Sequence, residues 1–243
     1  MTFEELLAVA RDDPRIVGLF LGGSRGKGVN VRRESDYDVR VVIAREDAEL
    51  ERVLDTPRGE AVDVAIHTLE EFRAHALAGS GKEWDRYTFA RGQVLVDKLE
   101  GEIQRLVDQK ARLAPDEARR RARGALGAYL NSLYRSLKSA RLGLDLAARI
   151  HAAESAGHLL VALFALEGRV RPFHDSLAWE LETEPLARWR TDELLTRIEK
   201  ILDGAAEPQQ ALFREVERQV RPHGFGEEID AWEPDVALMR GEQ

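Results

Sequence analysis

Three aspartates in the N-terminal part of the chain are the residues best suited to chemistry. Asp36 and Asp38 lie two positions apart at the start of an apolar run, YDVRVVIA (37–44), and Asp63 lies in a later run, EAVDVAIHT (60–68). Because side chains alternate along a strand, Asp36 and Asp38 share one face, where their carboxylates repel each other. If the two strands are neighbours in register, Asp63 joins them. Three such hard oxygen donors could hold two Mg²⁺ ions, which would support an in-line displacement at phosphorus.

The segment GGSRGKG (22–28) precedes the acids and has the composition of a turn that contacts phosphate. Gly22 and Gly23 let the backbone approach a ligand, and Ser24 offers a hydroxyl and an amide N–H to a phosphate oxygen. Arg25 and Lys27 could neutralise a polyphosphate. The order of these residues is not that of the Walker A loop, so a P-loop fold is not indicated.

Each of these features has a simpler explanation when it is taken alone. A Gly-Gly-Ser segment can be only a tight connection, and an Asp-x-Asp pair can be a strand end that meets solvent. Asp63 can pair with an arginine, and the basic loop residues can be ordinary solvated side chains. Their order favours phosphate chemistry: a strand, a small-residue turn, an eleven-residue gap, an acid pair on a second strand and an acid on a third.

The elements that must position these residues fall into two halves of different character. In the first half, short Val- and Ile-rich runs alternate with helical patterns, which indicates a sheet that carries helices. We predict a helix over 45–56 and strands over 15–21, 37–44, 60–68 and 93–98.

The second half has few valines, and Ala, Leu, Arg and Glu recur at helical spacing, which is typical of a helical bundle. We predict helices over 116–142, 144–167, 175–183, 191–203 and 208–220. The fold class is therefore α+β, with a sheet-containing domain over 1–104 and a helical domain over 105–243.

The composition limits the class of protein. With 243 residues, 44% apolar and 33% charged, the chain can bury one or two substantial cores. The absence of cysteine excludes disulfides, thiolate catalysis and cysteine zinc sites, and the net charge of −8 disfavours nucleic acid as a general partner. No apolar run approaches the roughly 20 residues of a membrane span, and the N-terminus lacks a signal-peptide pattern. We expect a soluble, cytoplasmic protein without a membrane partner.

The ordered pattern resembles the signature of the DNA polymerase β-like nucleotidyltransferases. In that family, a Gly-Gly or Gly-Ser pair is followed by an acid-hydrophobic-acid-hydrophobic segment and by a third acid on a later strand. Gly23–Ser24, Asp36–Tyr37–Asp38–Val39 and Asp63 match it here. The resemblance covers about residues 15 to 98 and implies a mixed sheet with packed helices and Mg²⁺ ligands at the three acids. It also implies transfer of a nucleoside monophosphate from ATP, or another NTP, to a hydroxyl with release of pyrophosphate.

The appended helical half is similar in size and layout to the aminoglycoside nucleotidyltransferase branch. That likeness implies a small hydroxylated acceptor, such as an antibiotic, and a helical-domain glutamate that takes the proton of the acceptor hydroxyl. Glu154, flanked by alanines and a glycine, matches that glutamate by context, and Asp63 is the alternative base. A salt bridge explains Glu154 equally well. Lys138 could reach the departing pyrophosphate or be only solvated, and a homodimer is compatible with the family.

Two other functions stay open at this point. The same chemistry could act on a protein or RNA acceptor, although the acidic charge disfavours RNA. A chain of this fold could also bind a nucleotide without turnover, although the presence of all three acids argues against that. The basic run RRRAR (119–123) is the main candidate for a local basic pocket, and a solvated helix face is its simpler explanation.

Overall fold

The computed structural model describes residues 1–29, 31–55 and 61–242. It divides the chain into two compact units, Met1–Arg112 and Leu113–Gln243. Thr56 and Glu60, which end a predicted helix and begin a predicted strand, lie outside the described residues.

The described part of the first unit contains a four-stranded mixed sheet with the order β3-β2-β1-β4. Its strands are β1 (Ile16–Leu21), β2 (Tyr37–Ile43), β3 (Val62–Thr68) and β4 (Gln93–Asp97). β1 is antiparallel to both of its neighbours, whereas β2 and β3 run parallel. The helix between β2 and β3 provides the crossover that a parallel pair requires. All four strands agree with the predicted ones to within two residues at each end.

Helices lie before, between and after these strands. The helices of the first unit are α1 (Phe3–Asp12), α2 (Gly23–Lys27), α3 (Ala48–Leu54), α4 (Leu69–Ala74), α5 (Tyr87–Ala90) and α6 (Glu102–Ala111).

The sheet has an apolar core on each of its faces. On one face, Val39 and Val41 of β2 and Val62 of β3 pack in a cluster with residues of α1 and α3. On the other face, Phe20 and Val42 pack in a cluster with residues of α4, α5 and α6. Alternation along β2 therefore places Asp38 on the second face, with Val42.

Helix α6 sets the end of the first unit. Ile103 and Val107 on α6 are buried in the core of the second sheet face. The unit therefore extends to Arg112, whereas the sequence places the domain boundary after residue 104.

Helices are the main secondary structure of the second unit in its described residues, and the α+β fold class is confirmed. Its helices are α7 (Pro115–Arg141), α8 (Asp145–Leu166), α9 (Leu177–Thr183), α10 (Thr191–Ile201), α11 (Ala206–Val220), α12 (Gly226–Asp230) and α13 (Val236–Arg240).

The two longest helices, α7 and α8, pack against each other. Ser136 Oγ donates a hydrogen bond to the carbonyl of Ala148 (2.8 Å), and Leu130 and Leu160 belong to the buried apolar residues of this unit. None of the helices in the described ranges is long and apolar enough to cross a membrane.

Candidate active site

Two of the three aspartates lie side by side on neighbouring strands. Asp38 on β2 and Asp63 on β3 are register partners in the parallel pair. Side-by-side residues of a parallel pair project from the same face, so both carboxylates lie on one side of the sheet. Asp36 immediately precedes β2 and is exposed, as is Asp63, whereas Asp38 is partly buried. We call Asp36, Asp38 and Asp63 the acidic cluster.

In the acidic cluster, burial and neighbouring negative charges both disfavour the ionised form of Asp38. The pKa of Asp38 is raised above its usual value, first by burial and then by the charges of Asp36 and Asp63. Arg40 and Lys27 act in the opposite direction and favour the ionised carboxylate. A cation among these carboxylates would relieve both the burial of charge and the mutual repulsion.

The glycine turn is built around the Asp38 side chain. The N–H of Gly22 donates to the main-chain carbonyl of Asp38 (2.8 Å), which fixes the turn to the start of β2. Gly23 has a φ of 59°, and a Cβ at this position would lie 1.7 Å from Asp38 Oδ2. Any other residue here would have to displace the Asp38 carboxylate and adopt a left-handed backbone conformation, so glycine is favoured.

The remaining residues of the turn follow Gly23 directly, and its two basic side chains contact neighbouring groups. Ser24 is partly buried in the first turn of α2. Arg25 Nε donates to the carbonyl of Ser35 (2.8 Å), and its guanidinium carbon lies 4.1 Å from the centroid of the Tyr37 ring. Lys27 Nζ lies 5.2 Å from the centroid of the Tyr87 ring. Arg25 thus braces the loop before β2, and contact of these residues with phosphate stays a prediction.

The donor chemistry of the acidic cluster suits Mg²⁺. Within residues 1–29, 31–55 and 61–242, no group of three or more His, Asp or Glu side chains, the acidic cluster included, forms a cage that could hold a metal ion. Mg²⁺ commonly keeps several waters and shares substrate phosphates with one or two carboxylates, so such a cage is not required. Burial, and then repulsion by Asp36 and Asp63, raises the pKa of Asp38, and a cation bound there would offset both effects. The assignment of Asp36, Asp38 and Asp63 as ligands stays a prediction.

A buried polar network adjoins the acidic cluster on the same sheet face, and sequence reasoning missed it. Arg40, two residues after Asp38, forms a salt bridge from Nη2 to Asp85 Oδ2 (2.5 Å). His75 Nε2 is hydrogen-bonded to the same oxygen (2.7 Å), and Thr88 Oγ1 donates to Asp85 Oδ1 (2.8 Å). Burial raises the pKa of Asp85, but these partners outweigh burial and leave it below its usual value.

One signal for this network was present in the sequence. Arg40 interrupts an apolar strand at the position where it must share a face with Asp38, which calls for a buried acid as its partner. No local pattern identifies Asp85 as that acid, because it lies far along the chain.

His67 borders the same network without joining it by a hydrogen bond. Its ring centroid lies 4.8 Å from that of His75, and its Nε2 is buried without a hydrogen-bond partner in the described residues. Burial, followed by the neighbouring His75 and Arg40, lowers the pKa of His67 to about 4. The imidazole is therefore neutral at physiological pH.

The two predicted site residues of the helical unit are both on its surface. Glu154 on α8 is exposed and its Oε2 lies 3.0 Å from His151 Nδ1. The small residues Ala152, Ser155 and Ala156 beside it are buried, so helix packing accounts for them. Lys138 is exposed near the end of α7, with Nζ 5.7 Å from the centroid of the Tyr134 ring. The roles of Glu154 as base and of Lys138 as pyrophosphate contact stay predictions.

No protein-family model matches the chain, and no curated protein sequence shows significant similarity. Among solved structures, it is similar to a nucleotidyltransferase-like protein from Exiguobacterium sibiricum, with 12% identity and a TM-score of 0.39. The match covers 89% of this chain and 77% of that one. At this TM-score the likeness does not establish a shared fold or activity.

Proposed function

We propose that this protein is a Mg²⁺-dependent nucleotidyltransferase that transfers AMP, or another nucleoside monophosphate, from an NTP to a hydroxyl of a small molecule. An aminoglycoside-like antibiotic is the acceptor class that we infer. One observation carries the proposal: the register partners Asp38 and Asp63 share a sheet face with the Gly22–Gly23 turn held directly against Asp38. Carboxylates with a small-residue turn beside them fit a nucleotide's phosphates and the cation that accompanies them.

The reaction would form a bond between the acceptor oxygen and the α-phosphorus, and would break the bond to the oxygen that leaves with pyrophosphate. Mg²⁺, when bound at the acidic cluster, would supply positive charge at the phosphates. Ser24 and the turn amides would orient the β and γ phosphates, and Lys27 would balance part of their charge. The proton of the acceptor hydroxyl would pass to Glu154 or to Asp63. Positioning and charge neutralisation supply most of the rate in such transfers.

The first experiment measures ATP binding by calorimetry, with Mg²⁺ and with EDTA, in wild type and Asp38→Asn. We expect binding that depends on Mg²⁺ and is lost in the variant. Glu49→Gln is the matched control, because it removes one exposed acid of the same unit on the outer helix α3. Unchanged ATP binding in Asp38→Asn would reject the metal assignment.

The second experiment identifies the acceptor. Pyrophosphate release is followed with ATP or GTP and a panel of hydroxylated antibiotics and metabolites. Radiolabelled ATP incubated with cell lysate distinguishes a labelled small solute from a labelled protein or RNA. ATP binding without pyrophosphate release in any of these reactions would reject the enzymatic function and indicate a protein that binds nucleotides without turnover.

A further inference from the structure

A single buried carboxylate, that of Asp85, joins strand β2 to helix α5. Its Oδ2 accepts a hydrogen bond from Arg40 Nη2 (2.5 Å), and Arg40 lies on β2 two residues after Asp38 and on the same face. Its Oδ1 accepts from Thr88 Oγ1 (2.8 Å), and Thr88 lies on α5. His75 Nε2 lies 2.7 Å from Oδ2 and is a third partner of the carboxylate.

The glycine turn contacts both of the elements that Asp85 joins. On the side of β2, the N–H of Gly22 donates to the main-chain carbonyl of Asp38 (2.8 Å). On the side of α5, a Cβ at Gly22 would lie 2.7 Å from Thr88 Cγ2, so this methyl group lies directly against the backbone of the turn. Thr88 therefore contacts Asp85 through its hydroxyl and Gly22 through its methyl group.

The burial of Asp85 has an energetic cost that stability alone does not explain. Asp85 is 4% exposed, and burial acts to raise its pKa. Apolar residues of similar volume often stabilise a core as well as a buried ion pair does, so the pair is weak evidence for a role in stability. A network of hydrogen bonds does fix the positions of its members, because each bond has a preferred direction. Here the members are Arg40 and Thr88, which lie beside the acidic cluster and the glycine turn.

We propose that Asp85 is a positioning residue that holds the glycine turn against Asp38, acting through Thr88 on one side and through Arg40 on the other. This role rests on the proposed function, in which the turn amides contact the phosphates and Asp38 contacts their cation. Groups that bind such a ligand must stay within about 0.5 Å of the productive geometry, so the side chains that support them must be fixed by packing and hydrogen bonds.

Amide hydrogen exchange in EDTA tests the position of the turn without nucleotide or metal. The exchange rate of the Gly22 N–H, measured by NMR on the full chain, reports how often its hydrogen bond to Asp38 opens. Thr88→Ser keeps the hydroxyl for Asp85 and removes the methyl group from Gly22, whereas Thr88→Val keeps the methyl group and removes the hydrogen bond. We expect the rate to rise by about ten-fold in both variants, because the turn requires the methyl group and its anchor together.

Thr68→Ser is the matched control for the loss of one threonine methyl group. Thr68 is also partly buried in the first unit, and its hydroxyl makes hydrogen bonds to Glu71 that serine can keep. This control should leave the Gly22 exchange rate unchanged. A wild-type rate at Gly22 in either Thr88 variant would overturn the proposal. An equal rise at all amides of the sheet would also overturn it, because that result shows only a lower global stability.

Asp85→Asn should raise the Gly22 exchange rate as the Thr88 variants do, and those variants decide the test if Asp85→Asn does not fold.

Mg²⁺-dependent ATP binding, measured by calorimetry, then shows whether the position of the turn matters for the nucleotide. We expect Kd to rise by about ten-fold in Thr88→Ser and Thr88→Val and to stay at the wild-type value in Thr68→Ser. ATP binding equal to wild type in both Thr88 variants would overturn the positioning role. If wild type itself binds no ATP, the proposed function fails, and the exchange rates alone decide whether Asp85 holds the turn.

Discussion

Asp38 and Asp63 face the same side of the sheet as register partners on the parallel strands β2 and β3. Burial, and then the charges of Asp36 and Asp63, raises the pKa of Asp38, and a cation among these carboxylates would offset the repulsion.

Asp38→Asn should lower nucleotidyl transfer by at least about 10²-fold, because it removes a charge that the transferring phosphates and their cation require. In EDTA the same variant should have a higher Tm than wild type, because a half-buried charge and its repulsion by Asp36 and Asp63 are removed. Mg²⁺ should raise the Tm of wild type only. Glu49→Gln controls for the loss of one acid, and a lower Tm of Asp38→Asn in EDTA would contradict the prediction.

Gly23→Ala should abolish ATP binding, because its Cβ would occupy the position of the Asp38 carboxylate. Gly28 offers a matched control, since its φ of 69° is similar but a Cβ there would meet nothing within 4 Å. Gly28→Ala should therefore show only the backbone strain of about 1–2 kcal/mol, and Gly23→Ala should unfold at a lower urea concentration. Equal stability and equal ATP binding in the two variants would argue against a close contact at Gly23.

Substitutions of Arg25 can show whether its side chain acts by holding the loop before β2 or by neutralising phosphate charge. Its planar side chain stacks on Tyr37 and donates to the carbonyl of Ser35, and a lysine cannot reproduce this geometry. If Arg25 acts by holding the loop, Arg25→Lys and Arg25→Gln should raise KM for ATP by similar factors. If it acts by neutralising phosphate, Arg25→Lys should stay close to wild type. Steady-state kinetics of both variants decide between the two roles.

Asp85→Asn should destabilise the protein by about 3–5 kcal/mol, because it leaves Arg40 as an uncompensated charge in a buried network. Asp13→Asn is the control, since Asp13 pairs with the exposed Arg15 at the surface and should matter far less. Urea unfolding monitored by circular dichroism measures both variants. A small effect of Asp85→Asn would show that the network relaxes around the lost charge.

His67 makes stability depend on pH. Its pKa is about 4 in the folded chain, against 6.5 for a solvated histidine, so the unfolded chain takes up the proton first as the pH falls. The contribution of neutral His67 to the free energy of unfolding is complete above pH 6.5 and is lost as the pH falls towards 4. Between about pH 7.5 and pH 5, wild type should lose up to about 2 kcal/mol that His67→Gln does not lose.

His174→Gln replaces an exposed histidine and is the control for this measurement. It should follow wild type across the same pH range. Parallel pH profiles of wild type and His67→Gln, from urea unfolding at each pH, would contradict the assignment.

Much of the local structure follows from the sequence. The alternation of Val62, Val64 and Ile66 with Asp63 predicts which side of β3 is apolar, and the structure places those three residues in the core of one sheet face. Helix patterns predicted α7, α8, α10 and α11 with small errors at their ends. The short helices α4, α5, α12 and α13 were not predicted, because one or two turns carry too little periodicity to stand out.

The candidate site was predictable in part. The order of the turn and the acids identified Gly23 and Asp38, whose contact the structure then showed. The bracing of the loop by Arg25 and the network around Asp85 were not predictable, since each depends on a side chain brought close by folding.

The sequence by itself determined which residues share a strand face and which segments are helical, because these properties depend on neighbours a few positions away. Only the tertiary structure decided that β2 and β3 are parallel and that Asp38 lies opposite Asp63. It also decided that Asp38 is partly buried. Strand order, register and burial depend on contacts between residues that are far apart in the sequence. Local sequence patterns do not specify those contacts.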